Sequence, residues 1–216
     1  MKIIDSLKRI YRKIFPSYIH YLEKYLKNCN SVLDLGCGAN SPIGQLKNKK
    51  FYSVGVDIFK PNIEKSKKLK IHNKYYNISV LQIDKKFKSK SFDCVLALDL
   101  IEHLTKKQGN ELIKKMEKIA KKKVIIFTPN GFVPQKEYDS NPWQVHKSGW
   151  TPDEMRKKGY KVIGINGWRP LRGECAKIKF KPEIFWLIVS IISEFFVKNN
   201  PEKAFQILCI KKFKQF

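Results

Sequence analysis

Short runs of apolar residues recur along the chain, and each ends in a polar or glycine-bearing turn. Residues 31–35 run into Gly36-Cys37-Gly38. Residues 51–56 are closed by Asp57, and 80–83 form a third, weaker run. Residues 92–98 end at Asp99, and 124–127 end at Thr128-Pro129-Asn130-Gly131. Runs that are apolar throughout, rather than alternating, suit central strands of a parallel sheet covered on both faces. Helical patterns separate them. The segment 64–70 is short and lysine-rich. In 106–121, Leu112, Met116, Ile119 and Ala120 share one helical face. Thr151-Pro152-Asp153-Glu154 starts a further helix, with threonine as N-cap, proline at the first position and acids in the first turn; Gly159 ends it. Residues 160–165 and 204–211 read as the sixth and seventh strands. Strands alternating with helices predict an α/β fold on a doubly wound sheet.

Two segments stand outside this alternation. In residues 1–15, Ile3, Ile4, Leu7, Ile10, Tyr11 and Ile14 recur at helical spacing, with Lys8, Arg9, Arg12 and Lys13 between them. Pro16 ends this basic amphipathic helix, and Ser17 caps a second helix running to about residue 28. Residues 1–29 thus form a helical cap before one domain over 30–216. An apolar helical insert lies near 166–203. Its centre, 184–197, reads IFWLIVSIISEFFV, broken only by Ser190, Ser193 and Glu194. It is too short to cross a bilayer, which takes about 20 residues. A buried helix, a dimer contact, a lid and a helix lying on a membrane all fit, and Lys181 and Lys198 bracket it as the last of these requires.

Composition narrows the class. Of 216 residues, 43% are hydrophobic, which excludes a wholly disordered chain. The cysteines Cys29, Cys37, Cys94, Cys175 and Cys209 are odd in number and form no C-x-x-C pair. That argues against a disulfide framework and a cysteine zinc site, and it makes a reducing cytoplasm the natural compartment. No apolar core precedes a small-residue cleavage site near Met1, so no signal peptide is expected. Lysine and arginine number 44 against 19 acids, a net charge of +25. The lysines are spread widely, so a general lysine bias and a basic functional face both stay open.

The first strand and its turn carry the chemistry. Glycines after a strand permit a sharp turn and close backbone approach to a ligand. Asp57 ends the next strand, where an acid takes the ribose hydroxyls of a nucleoside cofactor. A dinucleotide needs a third glycine, and Ser41 stands at that position. Asp34 instead precedes the glycines. A carboxylate there repels a pyrophosphate and attracts an ammonium. A cofactor combining ribose with an amino-acid ammonium is S-adenosylmethionine.

Leu33-Asp34-Leu35-Gly36-Cys37-Gly38, Val54-Gly55-Val56-Asp57 and the run from Phe92 through Asp99 to Glu102-His103-Leu104 resemble the class I S-adenosylmethionine-dependent methyltransferases, and within them the type 11 group. The resemblance covers residues 30–164 and the closing strand. It implies a Rossmann-like seven-stranded sheet, last strand antiparallel, with helices on both faces. It implies that Asp34 and the Gly36/Gly38 loop hold the methionine part and Asp57 the ribose. The family's acid for the adenine amino group falls on Asp84, a few residues late; backbone amides are the alternative. Asp99, Glu102 and His103 follow the fourth strand, where the family builds its catalytic edge. Their D-x-x-E-H spacing is similar to the E-x-x-E-H metal site of ubiquinone-pathway O-methyltransferases, but the favoured reading has Glu102 and His103 cap and pack the next helix, with no metal. Asp99 and His146 are the candidate catalytic residues, His146 as general base for an oxygen nucleophile or as a packing histidine.

The stretch 141–150 resembles a signature of a microbial subgroup and names no substrate. Leu98-Asp99-Leu100-Ile101 stands where adenine and glutamine amide methyltransferases carry Asn-Pro-Pro-Tyr, which disfavours those acceptors. The expected acceptor is a small or lipid-like molecule, met in the cytoplasm or by peripheral contact with an anionic membrane. An RNA or tRNA methyltransferase drawing on the +25 charge is one alternative. A non-catalytic protein that keeps the fold is the other.

Overall fold

The structure, a computed structural model, describes residues 18–47, 49–137 and 141–214. The expected helix over 1–15, its stop at Pro16 and the Ser17 cap lie outside these residues. In chain order the elements are α1 (Tyr18–Leu26), β1 (Ser31–Leu35), β2 (Tyr52–Asp57), α2 (Lys60–Lys68), β3 (Lys74–Asn77), α3 (Ile83–Lys86), β4 (Phe92–Leu98), α4 (Lys106–Ile119), β5 (Ala120–Pro129), α5 (Pro152–Lys157), β6 (Lys161–Trp168), α6 (Glu183–Val197) and β7 (Ala204–Lys212).

All seven strands form one sheet in the order β3-β2-β1-β4-β5-β7-β6. The pairs β1/β2, β2/β3, β1/β4 and β4/β5 are parallel. Strand β7 runs antiparallel between β5 and β6, with Ile126 opposite Cys209 and Val162 opposite the same residue. The chain winds outward from β1 to β3 and then returns to β4 on the other side of β1. That reversal opens a crevice at the carboxyl ends of β1 and β4.

The apolar runs are explained by two cores. On one face Leu33, Leu35, Val95 and Ala97 meet Leu112 and Met116 of α4 and the ring of Trp150. On the other, Val32, Cys94, Leu96 and Leu98 meet Leu22 and Leu26 of α1. Successive strand residues point to opposite faces, so a strand covered on both must be apolar throughout. Helix α4 begins at a capping box: Thr105 Oγ1 accepts the Gln108 N–H, and Gln108 Oε1 accepts the Thr105 N–H at 3.1 Å. It stops at Ile119, short of the expected 121, because β5 starts at Ala120 with no intervening loop.

The expected third strand at 80–83 is corrected. Strand β3 is Lys74–Asn77, at the sheet edge. Val80–Gln82 form a tight helical turn instead, started by Ser79, whose Oγ accepts the Leu81 N–H at 3.3 Å. Val80 and Ile83, three residues apart, are buried from that turn. An edge strand covered on one side needs no apolar run. Segment 184–197 is helical as expected, yet α6 is not a buried helix: only Ser190 and Val197 of it are buried. No helix among the described residues is long and apolar enough to cross a membrane.

Candidate active site

The crevice begins at the tip of β1. Gly36 (φ +64°) and Gly38 (φ +58°) are left-handed, a conformation that glycine alone adopts freely. The Cys37 N–H donates to Val56 O at 3.0 Å, tying the turn to β2. Asp57, at the end of β2, accepts the Gly38 N–H on Oδ2 and the Phe59 N–H on Oδ1, both at 2.8 Å. Burial raises the Asp57 carboxyl, and these backbone donors oppose the rise. Asn77 Nδ2 donates to Asp57 O and Ile58 O at 2.9 and 2.8 Å, so the tip of β3 fastens the same corner.

Gly36, Gly38, Asp57, Asn62 and the Ser79–Leu81 turn line one wall of a cleft of about 140 Å³. Trp143 and Lys147 line it from the loop that follows β5. Asp84 does not line it. It lies on α3, one turn beyond, paired with Lys115 Nζ at 2.8 Å. The apolar run at 80–83 folds into a helical turn, and this carries Asp84 to the far side of that turn. Asp34 is also off the wall. It is 1% exposed and sits beneath the loop, where Ser41 Oγ donates to its Oδ2. Burial pushes the Asp34 carboxyl up to about 7, against the Ser41 hydrogen bond. His72 Nε2 is 3.5 Å from the same carboxylate oxygen, but burial pushes His72 down to about 3, so the contact is between neutral imidazole and acid.

A second cavity, of about 330 Å³, joins the cleft at Asp99, His103 and Gln144. Its walls include Tyr18, Phe127, Val133 and Phe205, with Glu102 and His146 on the polar side. Asp99 (φ +49°) terminates β4, its N–H donating to Phe127 O at 2.8 Å. It is exposed where the two cavities meet, while the surrounding protein still desolvates its carboxyl. That desolvation pushes its carboxyl up to about 7, and the Gln206 hydrogen bond opposes the push. Glu102 is 2% exposed and accepts Thr128 Oγ1–H at 2.9 Å. Burial, with Asp99 nearby, holds it well above the ordinary carboxylate range.

The two histidines meet edge to face, ring centroids 4.8 Å apart. His103 Nδ1 is 3.3 Å from Val145 O, and His146 Nδ1 is 2.6 Å from Val133 O. A carbonyl only accepts, so each Nδ1 carries the hydrogen and each Nε2 keeps its lone pair. Burial pushes His103 down to about 4 and lowers His146, so both rings are neutral at neutral pH. Glu102, His103 and His146 each bring one ligand atom within 4.8 Å of the others. No metal was expected, and the alternative set of Asp99, Glu102 and His103 is regrouped here, with His146 in the place of Asp99. Two neutral imidazole nitrogens and a carboxylate are a donor set suited to a divalent transition metal.

The 141–150 stretch is locked in place by Trp150. Its Nε1–H donates to Ser148 Oγ at 3.0 Å and to Ile101 O at 3.3 Å, and the Lys147 and Ser148 N–H groups donate to Glu102 O at 2.7 and 3.1 Å. This docking sets His146 against His103. Sequence reasoning missed Gln206 and the Ser79–Leu81 wall, for which the cap at Ser79 was the only local signal; Trp143 lies in the 141–150 signature but was given no role.

Residues 33–128 match a family described as a methyltransferase domain. No curated protein sequence matches the chain. Three solved structures share the fold. A SAM-dependent methyltransferase from Archaeoglobus fulgidus is 19% identical, with 95% of this chain and 99% of that chain covered and a TM-score of 0.57. A protein from Pyrococcus horikoshii OT3 is 19% identical over 94% and 98% of the two chains, TM-score 0.59. The plantazolicin methyltransferase BamL, solved with a desmethyl plantazolicin analog and SAH, is 15% identical over 98% and 91%, TM-score 0.54. The domain match and the shared fold both make S-adenosylmethionine-dependent methyltransferases the proteins this chain is similar to.

Proposed function

We propose that this chain transfers a methyl group from S-adenosylmethionine to a small or lipid-like acceptor. The observation that carries the reading is the junction of two cavities at Asp99 and His103. One has the glycine turn and Asp57 on its wall; the other is lined by both polar and apolar side chains. The cofactor supplies an electrophilic methyl on a sulfonium. Asp57 and the Gly36/Gly38 loop hold its ribose and methionine parts, with Asp34 supporting the loop from below. The Ser79–Leu81 backbone takes the adenine role expected of Asp84. Methyl transfer needs the nucleophile held about 3 Å from the methyl with water excluded. Asp99 and His146 flank that junction with a carboxyl near neutrality and a free imidazole lone pair, so either can take the acceptor's proton.

Calorimetry of S-adenosylmethionine binding tests this. Micromolar-range binding is expected, weakened at least tenfold in Asp57→Ala, because each Asp57 oxygen holds one loop N–H. No binding by the wild type at millimolar cofactor overturns the reading and leaves a protein that keeps only the fold. Labelled cofactor with lipid and RNA extracts then separates a lipid-like acceptor from RNA.

The Glu102, His103 and His146 cluster favours a second reading, in which a divalent metal ion orients the acceptor oxygen. Manganese titration followed by electron paramagnetic resonance reads this without any acceptor. Saturable binding lost in His146→Ala supports it, and equal binding by both proteins removes it.

A further inference from the structure

Helix α6 is inside out. Apart from Glu183 at its exposed first turn, its polar side chains face the protein. Ser190 Oγ accepts the Arg172 Nε–H at 3.1 Å, Ser193 Oγ accepts the Trp168 N–H at 2.8 Å, and Glu194 Oε2 accepts the Gly167 N–H at 2.6 Å. Gly164 and Gly167 of β6 let the helix lie this close, since a Cβ on either would meet helix backbone oxygens at 2.0 and 2.2 Å. The opposite side is apolar. Ile184, Phe185, Leu187, Ile188, Ile192 and Phe196 are 41% to 76% exposed. An amphipathic helix on a water-facing surface has the reverse arrangement. A contiguous apolar face of this kind marks a contact with another apolar phase.

We infer that the outward face of α6 docks on an anionic lipid bilayer, lying in the plane of its surface. Fifteen residues span roughly 22 Å, short of the roughly 30 Å hydrocarbon core, so the helix lies on a membrane rather than through it. Its surroundings fit a lipid interface. Lys177, Lys179 and Lys181 lead into it and Lys198 leaves it, all exposed, where their stems reach along the apolar face and their ammonium groups meet headgroups. Phe180 and Trp168, also exposed, extend the apolar patch with rings of the kind found at lipid headgroups. The net charge of +25 selects an anionic surface and opposes a second copy of the same lysine-edged face. The helix also touches the catalytic region. Gly167 follows Asn166 and Arg172 donates to Ala176 O at 2.7 Å, and both Asn166 and Ala176 line the 330 Å³ cavity. Docking therefore sets that cavity near the lipid surface.

Flotation of the full chain with vesicles tests the inference. One set is phosphatidylcholine alone, and the other contains about one third phosphatidylglycerol. Binding to the anionic set is expected, at least tenfold weaker in Ile188→Asp/Ile192→Asp. Lys181→Glu/Lys198→Glu should lose part of the binding, with the remainder less sensitive to added salt than the wild type's. All four sites are exposed, and thermal melts confirm the fold. Wild-type binding that is absent, or unchanged by the aspartates, overturns the inference. So does a dimer that Ile188→Asp/Ile192→Asp turns into monomer without vesicle binding. Calorimetry of S-adenosylmethionine on the same variants is expected to be unchanged, so failure here is distinct from failure of the methyltransferase reading.

Discussion

Gln206 donates its Nε2–H to Asp99 Oδ1 at 2.9 Å, joining the tip of β4 to the one strand that runs backwards. Asn166 fixes the orientation by donating to Gln206 Oε1. The bond favours the ionised carboxyl and opposes the desolvation that pushes Asp99 up to about 7. In Gln206→Leu the Asp99 midpoint should rise above that value. Carbon-13 NMR titration of the aspartate carboxyls reads it directly, and an unmoved midpoint shows that the bond does not act on the charge. If Asp99 is the base, methyl transfer rises with pH through about 7, and the rise moves to higher pH in the variant.

Asp34 gives a stability prediction. Its carboxyl is pushed up to about 7 in the fold, against roughly 3.9 in an unfolded chain. Between those values the native state binds a proton that the unfolded state does not. The contribution is full below the lower value and is lost as pH rises through about 7, at up to roughly 1.4 kcal/mol per pH unit. His72 and His103 are lowered and act in the opposite sense as pH falls. The comparison with Asp34→Asn isolates the aspartate. Urea midpoints from pH 4.5 to 7.5 should converge for the two proteins at low pH, relative to their separation at high pH, with the variant gaining as pH rises.

The two loop glycines should respond differently to alanine. At Gly38 a Cβ meets nothing within 4 Å, so only the left-handed backbone resists, about 1–2 kcal/mol. At Gly36 the same strain is joined by a 2.6 Å contact with Leu100 Cδ1. Gly36→Ala should therefore melt lower than Gly38→Ala. Because Gly38 lines the cleft, its alanine should still weaken S-adenosylmethionine binding about tenfold or more, measured by calorimetry.

Gly109→Ala tests the anchor of the histidine loop. A Cβ there would stand 2.4 Å from Trp150 Cζ2, and Trp150 is fully buried with both its neighbours and its N–H engaged. Overpacking of about 1–3 kcal/mol is expected to exceed the roughly 1 kcal/mol that alanine gains in a helix. Thermal denaturation should show a loss of a few degrees. A stabilised variant would mean that the loop is free to move off α4.

The central strands were legible because burial on both faces writes itself as an apolar run, as in 92–98. Strand β3 was not, because an edge strand such as Lys74–Asn77 needs no such run, and the apolar residues of 80–83 serve a helical turn. The same turn places Asp84 on α3, off the cleft wall. Glycine conformation and the Asp57 corner were readable from spacing. The pairing of Asp99 with Gln206 was not, since 107 residues separate them and only the antiparallel closing strand brings them together. His146 was readable as a candidate, but its partner His103 appears only once Trp150 has docked the loop.

The sheet order sets a timetable for synthesis. Strand β7 follows the other six strands of the sheet in the chain, yet it occupies the space between β5 and β6 rather than an edge. While the ribosome is still adding residues before Ala204, both neighbours carry unpaired edges, and Gln206 has not yet reached Asp99. The first five strands can assemble as they emerge, but the 330 Å³ cavity cannot be complete in a nascent chain that stops short of β7, which supplies Phe205 and Gln206 to its wall. A chain cut before Ala204 would lose an internal strand of the sheet, not a trailing end.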